Sequence, residues 1–165
     1  MSQPPISNSF ASRDELIASA FAAADVRAKK AVVSYARETF DGRRRVIAYA
    51  LGCLAPDPEI SQSWELWHQV WSIGRFSAEL EGSVKERQQA WIALMADAVA
   101  DGQADRSISA SHDPERVGLL LVTMLDGLTP ALRYRLVDLD SARSLLVEAI
   151  EGILGPTPSI SALSS

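Results

Sequence analysis

This chain of 165 residues is short of the residues that usually carry chemistry. It has one cysteine, Cys53, and two histidines, His68 and His112. A lone cysteine excludes a disulfide framework and any cysteine-based zinc site. No run of about 18 apolar residues occurs, so no transmembrane helix is expected. The opening Met1-Ser2-Gln3-Pro4-Pro5 lacks the basic-then-apolar layout of a signal peptide. A soluble, cytoplasmic protein without membrane contact is the expectation. There is no glycine loop to cradle phosphate and no Gly-x-Ser-x-Gly elbow to present a nucleophile. Glu65 and His68 have the spacing of a helical metal-ligand pair, but a di-iron bundle needs two such pairs and further carboxylates. The other histidine, His112, has Ser109 three residues before it. No catalytic residue, metal or cofactor is therefore expected, and the chain does not read as an enzyme.

What the chain does have is apolar content, 47% of its residues, which suits a single domain with a real core. The formal net charge of −5 argues against a surface devoted to nucleic acid. Charge is uneven, however. Residues 1–45 are net basic through Arg13, Arg27, Lys29, Lys30, Arg37 and Arg43 to Arg45, while the remainder is strongly acidic. Solvated helix faces explain such a step without any binding role.

The apolar periodicity is helical throughout, with no sustained alternation, which predicts an all-α bundle of about six helices. Ser12 with Glu15 forms a capping box for a first helix running to the Tyr35–Ala36 region. A second is expected from Asp41 to Leu54, stopped by Ala55-Pro56-Asp57-Pro58. Ser61 or Ser63 should open a third that ends near Gly74, and a fourth should run from Ser77 to Gly102. Asp113-Pro114-Glu115 is a strong start signal for a fifth helix, to about residue 134, and the sixth spans Ser141 to Leu154 before Gly155-Pro156.

Residues 117–128 are apolar almost all round, so that helix needs cover on two sides. A monomer core helix satisfies this, and so does a helix shared with a second subunit. The last helix adds a wide stripe, and two antiparallel helices with surplus apolar surface form half of a four-helix bundle. A homodimer is therefore preferred, with Leu121, Leu128, Leu145, Leu146, Ala149, Ile150, Ile153 and Leu154 at the interface. Trp64, Trp67, His68 and Trp71 share one helix face. Plain core packing and the lining of an apolar pocket are both open readings of that face. A pocket would also draw on Trp91, Met95 and Met124, with Tyr49, His68, Thr123 and Asp126 as polar handles. Asp126 is the sharpest of these, because a carboxylate on an apolar helix needs a partner if buried.

Phe10-Ala-Ser-Arg-Asp-Glu-Leu16, the helix from Trp64 to Trp71, Trp91 through Gly102, and Asp126-Gly127-Leu128 follow in an order that resembles the tetracycline-repressor (TetR) family. The likeness is to members with a BetI-like C-terminal domain, and it covers about Phe10 to Leu154, with Arg13 where lysine is usual. It implies a homodimer held by the last two helices, with a small apolar, aromatic or cationic ligand bound among the preceding ones. Residues 10–155 are then the regulatory domain, 1–9 a disordered stretch or relic of a DNA-binding head, and 156–165 a disordered tail. Only nine residues precede Phe10, so no DNA binding by this chain alone is expected. The alternative is a headless interaction protein that heterodimerises with a partner regulator or docks another protein.

Overall fold

The computed structural model describes residues 12–37 and 41–157. The stretch expected to be a relic (1–9), Phe10, and the tail beyond Thr157 lie outside the described residues. Within them the regular structure is six α-helices and no strand: α1 (Arg13–Tyr35), α2 (Gly42–Gly52), α3 (Pro58–Gly74), α4 (Ala78–Ala104), α5 (Pro114–Arg133) and α6 (Leu139–Leu154).

Helix starts are set by side-chain caps. The Ser12 hydroxyl accepts the Glu15 amide at 3.0 Å, and Asp41 accepts that of Arg44 at 2.8 Å. The third helix begins three residues before Ser61, because Asp57 caps it and Pro58 takes the first turn. The same Asp-Pro pair that opens α5 at Asp113-Pro114 is thus a start at 57–58 as well as a stop for what precedes it. The second helix ends at Gly52, and Leu54 and Ala55 bond back to Leu51 and Gly52 in tight turns.

The long α4 is the spine, packed on α1, α2, α3 and α5, while α6 returns to α2 and α5. Phe21, Val46, Met95, Leu121, Leu146 and Ile150 are fully buried at its sides. Two glycines let backbones touch. A Cβ on Gly42 would lie 2.1 Å from the Gly102 nitrogen, and one on Gly118 would lie 2.6 Å from the Ile92 carbonyl oxygen. Polar ties then fix α2. Asp105 accepts the Gly42 amide at 2.7 Å and the Ser107 hydroxyl accepts that of Arg43 at 3.0 Å. The Arg43 guanidinium, buried, pairs with Glu151 and donates to the Gly155 carbonyl at 2.7 Å, while Arg44 pairs with Asp41 and Arg45 with Asp101. Of the three arginines behind the N-terminal charge step, Arg43 is thus buried in structural ties, while Arg44 stays largely exposed.

The expected dimer residues divide. Leu121, Leu146, Ile150 and Leu154 are at most 1% exposed and fill the chain's own core, because they recur on the inner sides of α5 and α6. Leu128, Ala149 and Ile153 are half-buried. Leu145 is 52% exposed, and Leu119 and Leu120, absent from the expected set, are exposed on the outer side of α5.

Candidate functional site

The offsets of α3 place its aromatic residues on a path from the core to the surface. Trp67 points inward and meets Phe21 of α1 edge-on, with ring centroids 5.0 Å apart. One turn on, Trp71 is half exposed and tilted against Trp67 at 5.8 Å. Trp64 is partly buried and donates its indole N–H to the Cys53 carbonyl at 2.8 Å. These three rings, with His68, Ser72 and Asp126 of α5, line a groove of about 300 Å³. Five of the ten residues expected around a ligand are thus brought together.

The other five are not in it. Met95 is fully buried in the core. Trp91 is buried, donates to the Oδ1 of the buried Asp25 at 2.6 Å, and carries the Lys29 ammonium 5.1 Å over its ring. Lys29 in turn lies 3.7 Å from Asp25, so this tryptophan braces α1 against α4. Thr123 is exposed and bonds to the carbonyl of Leu119 in its own helix at 2.8 Å. Tyr49 and Met124 are half-buried against the core, away from the groove.

Trp64 and His68 also border a second cavity of about 360 Å³, between the α2–α3 turn and α5. Its polar edge is Glu65, paired to Arg133 at 2.6 Å, and its wall includes Thr129, whose buried hydroxyl has no hydrogen-bond partner. Sequence reading passed over Thr129 and Arg133, although 126, 129 and 133 have the spacing of one helix face. Pro130 lies between them and has no N–H to offer the Asp126 carbonyl.

The electrostatics converge on Asp126. Burial pushes its carboxyl above the usual carboxylate range, opposed by a hydrogen bond from Gln88 and by His68. Gln88 of α4 donates that bond at 2.8 Å, a partner that no local pattern points to. His68 is held below its ordinary value by burial and then by Arg133, which keeps the imidazole neutral near pH 7. Cys53 borders the second cavity, and burial, then Asp126, pushes its thiol up to about 12. It is a packed apolar group and a poor nucleophile. Among the described residues no cluster of three His, Cys, Asp or Glu is placed to hold a metal ion, and no helix is long and apolar enough to cross a membrane.

Comparison with functionally curated proteins gave no match. Among solved structures, a TetR-family transcriptional regulator from a Rhodococcus species is 25% identical, with a TM-score of 0.80 over 88% of this chain and 77% of that one. The reduced form of NemR from E. coli shares the fold at 16% identity, with a TM-score of 0.67 over 91% of this chain and 78% of that one. The family model for the C-terminal domain of BetI-type transcriptional repressors matches residues 42–155, the α2–α6 unit that Arg43 closes. The chain therefore belongs to the TetR-family regulators and carries a C-terminal regulatory domain of the BetI type.

Proposed function

We propose that this chain is a dimeric, ligand-sensing regulatory domain whose ligand enters the groove between α3 and α5. The observation that carries the reading is the tryptophan-walled groove closed by Asp126, an apolar concavity with a few polar groups, as small-molecule sites are built. Its inner wall continues into α1. Trp67 packs on Phe21, and Trp91, which borders a narrow void with Trp64 and Trp67, holds Asp25. A ligand that separates Trp67 from its neighbours therefore bears on α1, the helix nearest to where a DNA-binding head joins in the family resembled. Regulation is non-enzymatic and cytoplasmic in this reading, with no cofactor. No DNA binding by this chain alone is part of this reading, and of the basic run only Arg43 is buried in its ion pair.

The second copy packs on the outer side of α5 and α6, where Leu119, Leu120 and Leu145 are exposed beside the open Gly127 and Gly152. Small residues among exposed leucines permit close helix approach. Residues 10–155 form the regulatory unit in this reading, with α1 packed on α2, α3 and α4 through the buried Phe21 and Val32.

A thermal-shift screen of small amphipathic compounds tests the sensing claim. Compounds that raise the melting temperature of the wild-type chain are expected to lose most of that effect on Trp71→Ala and Asp126→Leu. If every stabilising compound acts equally on both variants, the groove is not the site.

A further inference from the structure

The ligand-sensing reading leaves the chemistry of the ligand open, and the surroundings of Asp126 narrow it. Of the groove's two ionisable groups, Asp126 and His68, neither is held in an ion pair among the described residues, and each feels the other's charge. Glu65, at the edge of the adjoining cavity, is neutralised by Arg133 at 2.6 Å, His68 is kept neutral by burial, and no Lys or Arg among the described residues forms an ion pair with Asp126. Its hydrogen-bond partner is a neutral amide, Gln88. A half-buried carboxylate held by one amide and by the nearby His68 imidazole keeps much of its desolvation cost, since burial still outweighs both.

A second observation points the same way. The Gln88 side-chain oxygen is buried with no hydrogen-bond partner. Its amide nitrogen is already given to Asp126, so what this corner lacks is a donor. Buried acceptors without donors are rare, and this one sits on the residue that holds Asp126, directly behind the groove's lining. The apolar side of the groove is the Trp67–Trp71 pair, with Trp71 half exposed and open to a ring or a cation laid against it.

We infer that the groove takes a protonated primary amine or amidinium carried on a small apolar or aromatic body. The body stacks on Trp71, one N–H forms a charge-assisted bond to Asp126 and a second reaches the orphaned Gln88 oxygen. This inference rests on the ligand-sensing reading and goes beyond it by fixing charge sign and donor count. A quaternary ammonium supplies the charge but no N–H, and an alcohol supplies a donor but no charge, so the three classes are separable.

Isothermal titration of the whole chain with 2-phenylethylammonium, trimethyl(2-phenylethyl)ammonium and 2-phenylethanol provides the test. The primary amine is expected to bind at least tenfold more tightly than either of the others. Asp126→Asn should abolish that advantage, and Gln88→Leu should reduce it severalfold, with both variants checked for folding by circular dichroism. Equal binding of the alcohol, unchanged binding in Asp126→Asn, or a trimethylated probe as tight as the primary amine overturns the inference. Amine binding lost in Trp71→Ala but unaffected by Asp126→Asn overturns it too, while leaving the groove as a ligand site. Absence of heat from all three probes at millimolar concentration also overturns it, and the thermal-shift screen then decides separately whether the groove binds anything.

Discussion

Asp126 is a residue whose stability cost and proposed function have one origin. Because the fold raises its pKa, the native state holds the proton more tightly than the unfolded chain does. Stability therefore rises as pH falls through the window between the raised value and the ordinary one near 4, and the cost is fully present above that window. Asp126→Asn is expected to melt a degree or two higher than wild type at pH 7, with the difference closing toward pH 4. Thermal melts at both pH values check this, and a variant that melts lower at pH 7 would mean that the Gln88 bond outweighs desolvation. His68 acts in the opposite sense. Its lowered pKa costs stability as pH falls below about 6.5, so the comparison must be made between variants and not along one curve. Cys53, buried and with its thiol pushed up to about 12, should react with a disulfide reagent at least ~100-fold more slowly in the native chain than in denaturant. Fast native labelling, followed by absorbance, would contradict that placement. Of these residues, Asp126 and His68 were legible as site candidates from type and spacing alone. Gln88 was not, because it meets Asp126 across 38 positions of sequence, and no local pattern encodes a contact between helices.

Helices were legible where periodicity and caps agreed. The start of α1 at Ser12 and the Asp113-Pro114 opening of α5 follow from elementary capping chemistry, and α3 ends at Gly74 as expected, with Arg75 as its C-cap. The missed start of α3 is instructive, since Pro56 and Pro58 were read together as a stop, although only the second is preceded by an aspartate. Asp57→Ala, which removes that cap, should cost about 1 kcal/mol of stability, measurable by urea denaturation. The inner and outer sides of α5 and α6 were harder to assign. Both helices carry more apolar residues than one side needs, so the sequence names the stripe without saying which half faces home. The contact of α2 with α4 was invisible for another reason: a glycine announces permission, not use. Gly42→Ala should destabilise by about 1–3 kcal/mol or more through overpacking against Gly102. Gly82→Ala, where an added Cβ meets nothing within 4 Å, should stabilise by about 0.5–1 kcal/mol through helix propensity. Equal effects in a denaturation series would show that the close approach is not real.

At the scale of the molecule, the all-α architecture agrees with the helical periodicity, and the membership in a regulator family with what the order and spacing of motifs implied. The assembly is the open quantity to measure. Light scattering is expected to give about twice the 17.9 kDa chain mass, and Leu145→Arg with Leu120→Arg should return the monomer without lowering its helicity. A wild-type monomer at micromolar concentration would sink the homodimer and turn attention to a different partner for that surface. The tie between Arg43 and Gly155 has a further consequence. It brings the beginning and the end of the matched region, 42–155, within one arginine side chain of each other. A chain whose ends meet can be cut elsewhere and rejoined there with a short linker. A circular permutant that links residue 155 to 42 and opens in the polar loop 105–113 leaves out α1, and with it the buried Phe21, Ala28 and Val32, so it should keep the α2–α6 contacts but melt lower than the full chain.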